Sequence, residues 1–453
     1  MLFAGGVPAS AAIVSHAVTP SVASNAKYQY AGEMAGSGQL RFGCQVRPHT
    51  LAFVFCYGPD QIRAAYGIQP VLESGITGAG RTIVIIDAFQ SPTIRQDLAL
   101  FDHVWNYPDP TLNIIAPEGL TSFSAADPNQ VGWSAEISLD VQWAHAVAPG
   151  ATIDLVLARS NQDADILSVT QYAVEHNLGD VISQSFGEAE ICMDSKLLRQ
   201  QHRIFSEAVD RGITLFASAG DNGSAQPTCD GASALLSAST PASDPNVTGV
   251  GGTSLLADGT TGAFGSESVW NDSFGAGGGG FSTVFKRPSY QASFNHSRQR
   301  GVPDVAYNGD VRGGVIAAWG VPFGVGAFFI FGGTSAGSPQ WAGIVALADQ
   351  KGDHRLGGIN KALYRIGNHD DTSAFHDVTA GNNAFCTVAS CGVNVPGYSA
   401  GPGWDAATGL GTPNAANLIS LLSREDDNRQ SEGDNQPSGG DNQQGGGGHQ
   451  QSN

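Results

Sequence analysis

Charge is scarce in this chain, positive charge most of all. Asp, Glu, Lys and Arg make up 14% of 453 residues, and 22 Lys and Arg stand against 41 Asp and Glu, a net charge of −19. The isoelectric point is near 4.8. A nucleic-acid binder neutralises phosphates with Lys and Arg, so no nucleic-acid partner is expected. So little charge also argues against a coiled coil or a charged disordered chain. No apolar run is long enough to span a bilayer, and no membrane partner is expected. The first residues, Met1-Leu-Phe-Ala-Gly-Gly-Val-Pro8, are small and apolar but lack the basic opening of a secretion signal. They read either as the remnant of such a signal or as an ordinary chain end. No CxxC and no His-rich tract points to zinc. No internal repeat is present.

The six cysteines fall into three local groups: Cys44 with Cys56, Cys192 with Cys229, and Cys386 with Cys391. An even number in local groups favours disulfides and an extracellular, secreted protein over reduced thiols in a cytosolic one. Acid brings the many carboxylates toward their ordinary pKa of about 4, so the chain nears neutrality in acid. That is compatible with an acid-active protein.

Glycine is abundant, at 60 residues, which suits a loop-rich globular protein. Three regions are expected: an irregular lead-in over 1–45, a folded domain over 46–422, and a disordered Gly-, Gln- and Asn-rich tail over 423–453. Within the domain, the β-branched run Arg81-Thr-Ile-Val-Ile-Ile-Asp87 reads as a strand covered on both faces. Strands are also expected over 152–157, 180–186, 214–219 and 246–250, and helices over 95–103, 163–176 and 196–211. This alternation predicts an α/β fold with a parallel β-sheet flanked by helices on both faces. The Gly- and Ser-rich stretch 258–284 is expected to form surface loops.

The stretch Phe331-Gly-Gly-Thr-Ser-Ala-Gly-Ser-Pro339 follows an apolar run, 326–331, that reads as a buried strand. It precedes a helical pattern over 340–349. Pro339 suits the first turn of that helix, so Ser335 is placed on a tight turn just before it. A serine there is a candidate nucleophile if a neighbour can take its proton. Gly333-Thr-Ser-Ala-Gly337 also matches the G-x-S-x-G elbow of esterases, and a plain Gly/Ser turn remains a third reading.

Two further stretches supply acids. Ser134 is a candidate N-cap of a helix over 135–146 that carries Glu136 and Asp140 on one face. Two carboxyls so close resist double ionisation and can share a proton. Such a pair can act as a base in acid, where a histidine is already protonated. The alternative is a solvated helix face with two acids. In Leu215-Phe-Ala-Ser-Ala-Gly-Asp-Asn-Gly223, Asp221 lies just past the carboxyl end of a strand, where parallel sheets bind ligands. It is either an ordinary turn residue or a neutral carboxylic acid able to donate to an oxyanion.

Taken together, these residues resemble the sedolisin family of serine-carboxyl peptidases, which have a subtilisin-like fold. The Glu136-x-x-x-Asp140 helix, Ser218-Ala-Gly-Asp-Asn-Gly223 and Gly333-Thr-Ser335 match the family's motifs in the family's order. Ala144-His-Ala-Val-Ala-Pro-Gly-Ala151, Ser183-Gln-Ser-Phe-Gly-Glu188, Val250-Gly-Gly-Thr253 and Val302-Pro-Asp-Val305 extend the likeness, which spans about 57–421. The resemblance implies a peptidase with Ser335 as nucleophile, Glu136 and Asp140 as the base pair and Asp221 as oxyanion donor. It implies substrate contacts at Ser185, Phe186 and Gly187, polypeptide substrates and a monomer. It also implies one structural Ca2+ on the carboxylates of Asp377 and Asp405 and the carbonyls of Val378, Gly401 and Gly403, a set of oxygen donors that suits this ion. A disulfide between Cys386 and Cys391 could tie down the insert between these ligands. Only some 55 residues precede the family-like region, too few for the long prodomain usual in the family.

The rivals lack parts. An esterase needs a His after Ser335, and His354, His369 and His376 are available, but no His-Gly-Gly motif stands upstream. A His-based subtilisin could use Asp87 as its acid, but His-Gly occurs nowhere. A catalytically silent, calcium-stabilised secreted binding protein is the alternative of a different class, and it gives no reason to keep all four acting residues.

Overall fold

A computed structural model describes residues 19–20, 28–31, 42–45, 54–324, 326–368, 373–384 and 395–424. Its centre is an eight-stranded sheet. In chain order the strands are β1 (Thr82–Ala88), β2 (Leu112–Ile115), β3 (Thr152–Ala158), β4 (Val181–Gln184), β5 (Thr214–Ser218), β6 (Thr248–Ala257), β7 (Phe264–Val269) and β8 (Val305–Asn308). β2, β3, β1, β4, β5 and β6 lie side by side and parallel. β8 adds parallel to β6, and β7 adds antiparallel to its end.

β1 shows why the sheet is covered on both sides. Side chains alternate along a strand, and every second residue of β1 enters a different core. Ile83 and Ile85 join the core that includes Ile137, Leu139 and Val345. Val84 and Ile86 join the core that includes Ile166, Leu167 and Phe205. Helices α2 (Pro128–Val147) and α5 (Gly337–Gly352) belong to the first layer, and α3 (Asp163–Glu175) and α4 (Ser195–Asp210) to the second. Helix α1 (Ile94–Trp105) packs beside α2 in the first layer. The expected α/β arrangement is present, with most strand and helix ends within a few residues of the sequence reading, though β6 runs to Ala257, seven residues past the expected 250.

Helix α2 is buried on every side from Trp133 to Val147, as befits a helix without a polar face. Its start differs from the sequence reading. Asp127, not Ser134, caps it: the Asp127 carboxylate accepts from the Asn129 N–H at 3.0 Å, and Pro128 fills the first position. Ser134 lies inside the helix, where its hydroxyl donates to the Val131 carbonyl and accepts from the Trp319 indole at 3.1 Å. Gln142 bonds both the N–H and the carbonyl of Ala318 at 2.7 Å, and the Trp143 indole donates to Ile316. These bonds fasten α2 to a second sheet.

That second sheet contains Gly313–Ala318, antiparallel to Phe328–Phe331 and parallel to Phe55–Tyr57. The apolar run before Ser335 therefore belongs to this sheet rather than to the central one. The lead-in contributes short strands: Tyr28–Tyr30 pairs with Phe328–Phe331, and Thr19–Pro20 pairs elsewhere. The residues of 1–45 that are described as strands are thus paired rather than irregular. Disulfides join Cys44 to Cys56 and Cys192 to Cys229. Cys386, Cys391 and the tail beyond 424 lie outside the described residues. No helix among the described residues is long and apolar enough to cross a membrane.

The stretch 258–284 departs most from expectation. It contains β7 and the start of a strand over Gly280–Lys286, and residues 275–280 are buried. The glycines allow backbone to lie against backbone. The Ala276 N–H donates to the Asp221 carbonyl at 3.1 Å and the Gly278 N–H to the Gly220 carbonyl at 2.7 Å. A Cβ at Gly278 would run into the Ala219 carbonyl. Gly278→Ala should therefore cost about 1–3 kcal/mol, as overpacking does. Gly132, inside α2 with open space around it, should gain up to about 1 kcal/mol as Ala. Thermal unfolding of the two variants should move in opposite directions.

Candidate active site

Three parallel strands end beside one another, and each delivers a polar residue at its carboxyl end, the usual ligand side of such a sheet. Asp87 is the penultimate residue of β1, Ser185 follows β4, and Asp221 lies three residues past β5. Ser335 approaches from the second sheet. After Phe331 the chain turns at Gly333, whose φ of 99° favours glycine, and makes one 3₁₀ turn over Thr334–Ala336 before α5 begins. Ser335 is thus on the expected turn, fully buried. A Ser183–Ser338 hydroxyl contact at 2.8 Å ties the start of α5 to β4.

Glu136 and Asp140 face this turn from α2 and are wholly buried. Burial raises the Glu136 pKa well above its ordinary value, and the neighbouring Asp140 and Asp87 carboxyls raise it further; a hydrogen bond with Ser335 works the other way. Asp140 is also raised, by burial, with Ser185 close enough to offset part of the effect though outside strict hydrogen-bond geometry. Asp87 is raised by burial and by Asp140, and neither of its oxygens has a hydrogen-bond partner among the described residues. The expected pair is therefore a trio. In the sequence Asp87 was visible only as an acid at the end of a buried strand, where it suited a His-based site. Its tie to Asp140 emerges once β1 and α2 pack together.

Asp221 is bound to Thr334, the residue before Ser335. Its Oδ1 accepts from the Thr334 N–H at 2.7 Å and from the Thr334 hydroxyl at 2.9 Å. That hydroxyl also accepts from the Gly220 N–H at 3.1 Å. The Asp221 and Ser335 loops are therefore fixed to one another.

Ser185 meets the turn through its backbone, and Phe186 and Gly187 continue the strand that follows it. The Ser335 hydroxyl lies 3.4 Å from the Ser185 carbonyl oxygen. Phe186 is buried against Trp133. The chain leaves β4 at Ser185 and continues as a strand over Phe186–Ala189. One edge of that strand pairs with Ser239–Thr240. The other pairs antiparallel with Thr19–Pro20, with Thr19 opposite Gly187 and Pro20 opposite Phe186. A backbone paired to this strand is thus already present.

The proposed cation ligands also converge. The Asp377 carboxylate accepts from the Gly403 N–H and the Asp405 carboxylate from the Gly401 N–H, each at 3.0 Å. Val378 is buried beside Asp377. No group of three or more His, Cys, Asp or Glu suited to a metal occurs among the described residues. The donors here are two carboxylates plus backbone carbonyls, a hard-oxygen set that fits calcium. Of the three histidines open to an esterase, two are described, and each has another neighbour. His354 lies past the far end of α5, about 24 Å along the helix from its start. His376 stacks on Phe264, and His369 lies outside the described residues.

A central parallel sheet with a serine turn and buried carboxyls in place of an imidazole defines a subtilisin-like protein of carboxyl-dependent type. Residues 120–364 match the subtilase family. Kumamolisin of Bacillus sp. strain MN-32 is 33% identical over 381 residues, 81% of this chain and 63% of its own length. Sedolisin of Pseudomonas sp. strain 101 is 32% identical over 302 residues, 63% of this chain and 49% of its own. Human tripeptidyl-peptidase 1 is 30% identical over 313 residues, 63% of this chain and 51% of its own. The solved structure of Pseudomonas sedolisin, a serine-carboxyl proteinase with bound pseudo-iodotyrostatin, superposes with a TM-score of 0.69 at 29% identity, covering 81% of this chain and 97% of that one. The chain therefore belongs to the subtilase family, among its sedolisin-type members. It spans roughly half to two thirds of these curated relatives.

Buried acids give the fold a pH dependence of definite sign. Burial also pushes Asp97 up to about 6, Asp163 and Asp310 up to about 7, and Glu188 and Asp349 up to about 8. Each holds a proton in the native state that the unfolded chain releases above about pH 4. Stability is therefore fully present in acid and declines as pH rises between about 4 and 8. The melting temperature should fall across that range, with a shallower slope in Asp87→Asn. A rise toward neutrality would contradict the raised values.

Proposed function

We propose that the chain is a secreted, acid-active serine-carboxyl peptidase. The observation that carries this reading is the single buried cluster in which Ser335 meets Glu136, backed by Asp140 and Asp87. Three mutually close carboxyls resist full ionisation and share protons. Of the three, Glu136 is the one that reaches Ser335, so the base role falls to Glu136 when the trio carries a negative charge. Glu136 takes the Ser335 proton as the hydroxyl oxygen attacks the peptide carbonyl carbon. The proton then passes from Glu136 to the leaving amine, and the acyl group remains on Ser335. Water, deprotonated by Glu136, attacks the acyl carbon, the bond from that carbon to the Ser335 oxygen breaks, and Glu136 returns the proton to that oxygen.

Asp221 receives the oxyanion. Thr334 holds Oδ1, so the proton of a neutral Asp221 belongs on Oδ2, from which it donates. One donor of this kind contributes about 10²–10³ in rate. Ser185, Phe186 and Gly187 pair with the substrate backbone, as Phe186 and Gly187 do with Thr19–Pro20. Asp377, Asp405 and the carbonyls of Val378, Gly401 and Gly403 hold one Ca2+, which braces the loop joining them. The two disulfides accord with secretion, and the protein acts on polypeptides as a monomer.

Ser335→Ala and Glu136→Gln should each lower kcat by at least about 10³-fold with the fold intact. Hydrolysis of denatured protein should fall toward neutrality, because rising pH strips the protons that the trio shares and that Asp221 donates. In Asp221→Asn the donor no longer titrates, so turnover should drop while the neutral-side limb moves upward. A full rate in Glu136→Gln, or an optimum above about pH 7, would overturn the mechanism. For the cation, chelator should lower the melting temperature of the wild type but not of Asp405→Ala. Equal melting curves with and without chelator, with no calcium by elemental analysis, would remove it.

A further inference from the structure

Beyond the end of the Phe186–Ala189 strand lies an apolar hollow of about 480 Å³. Ile191, Met193, Leu198, Val284 and Phe285 line it. Ile191 is 57% exposed and Val284 48% exposed, a large area of hydrocarbon left facing solvent at one place. Arg199, His202 and Arg203 form its rim, a local excess of positive charge on a chain of net charge −19. His202 is held toward its protonated form by the Asp244 carboxylate at 2.8 Å.

The pairing of Thr19–Pro20 gives the direction in which a bound backbone runs. It is antiparallel, so residues upstream of Thr19 in any chain bound this way advance past Glu188 and Ala189 toward Ile191. The Ser335 hydroxyl faces the Ser185 carbonyl, so the residue opposite Ser185 carries the carbonyl to be attacked. Counting along the strand, the third residue before the scissile bond lies opposite Gly187 and the fifth opposite Ala189. At about 3.3 Å per residue, the fifth and sixth reach the hollow.

We infer that this hollow is a distal substrate subsite, taking an apolar side chain five or six residues before the scissile bond, with an acidic neighbour at the Arg199–Arg203 rim. The inference rests on the peptidase reading above and deepens it. Glu190, which begins the wall, is already committed: its carboxylate accepts from the Thr283 N–H at 2.7 Å and from the Ser282 hydroxyl. It therefore positions the strand that carries Val284 and Phe285 and leaves the rim to cations. Such a subsite distinguishes an enzyme that grips long chains from one satisfied by short peptides.

The test uses the full chain. Two fluorescent peptides, identical from the fourth residue before the scissile bond onward, carry Asp-Leu-Leu or Asp-Ser-Ser ahead of it. Their Kd is measured on the Ser335→Ala form at about pH 4, alone and combined with Ile191→Asp or Val284→Asp, two exposed positions where a charge leaves the fold intact. The Leu peptide should bind about tenfold more tightly, and both Asp variants should abolish that difference. Equal Kd values on the parent form overturn the subsite, as does a Leu preference that survives both variants. If instead the Asp variants tighten both peptides equally, the hollow serves the chain's own N-terminal stretch and the substrate assignment is wrong. Wild-type cleavage of a short peptide lacking the upstream residues separates the two readings. Cleavage with equal Kd values removes only the subsite, and absence of any cleavage removes the peptidase with it.

Discussion

The structure depends on one costly arrangement: carboxyl groups packed where water does not reach. Burying a lone carboxylate is expensive, and a group so placed takes up a proton instead. Glu136, Asp140 and Asp87 are all wholly buried, and Asp140 lies close enough to raise the other two. The fold tolerates them because each sits on a rigid element: α2, buried all round, and β1, paired on both edges. Both elements are held by neighbours that have no part in the chemistry. Gln142 and Trp143 lock α2 to the strand Gly313–Ala318, and that strand pairs with Phe328–Phe331, which leads to Ser335. Glu136 and Ser335 are therefore positioned by the same few hydrogen bonds.

Much of this was legible in the sequence, for a physical reason. The β-branched run of β1 and the strand–helix alternation after it record burial on both faces, and burial leaves a pattern. The i, i+4 spacing of Glu136 and Asp140 and the Gly-Thr-Ser turn record local geometry. Asp87 was harder, because its role depends on which helix covers β1, and no local pattern encodes that contact. The start of α2 was misplaced because Ser134 looks like a cap, whereas Asp127 and Pro128 begin the helix seven residues earlier. The run Gly275–Gly280 misled most. Glycine without a hydrophobic period reads as a loop, but here the absence of side chains lets this stretch lie against the backbone of Ala219, Gly220 and Asp221.

Acidity enters at two levels. Locally, the proposed mechanism needs a proton on Asp221 to donate and a free carboxylate on Glu136 to accept one. Globally, acids such as Asp349 and Glu188 are buried in positions that favour their neutral forms, and the low count of Lys and Arg leaves few counter-ions for them. The burial that favours neutral carboxyls in the site also makes the whole molecule lose stability toward neutrality.

The central claim is that the trio retains protons well above the range of ordinary carboxyls. Infrared difference spectra between the wild type and Glu136→Gln, Asp140→Asn and Asp87→Asn, recorded from about pH 3 to 8, resolve the C=O stretch of protonated carboxyls at these positions. Protonated carboxyl bands that vanish in the variants and persist in the wild type past about pH 6 are the expected result. Full ionisation of all three groups by about pH 5 would contradict the account.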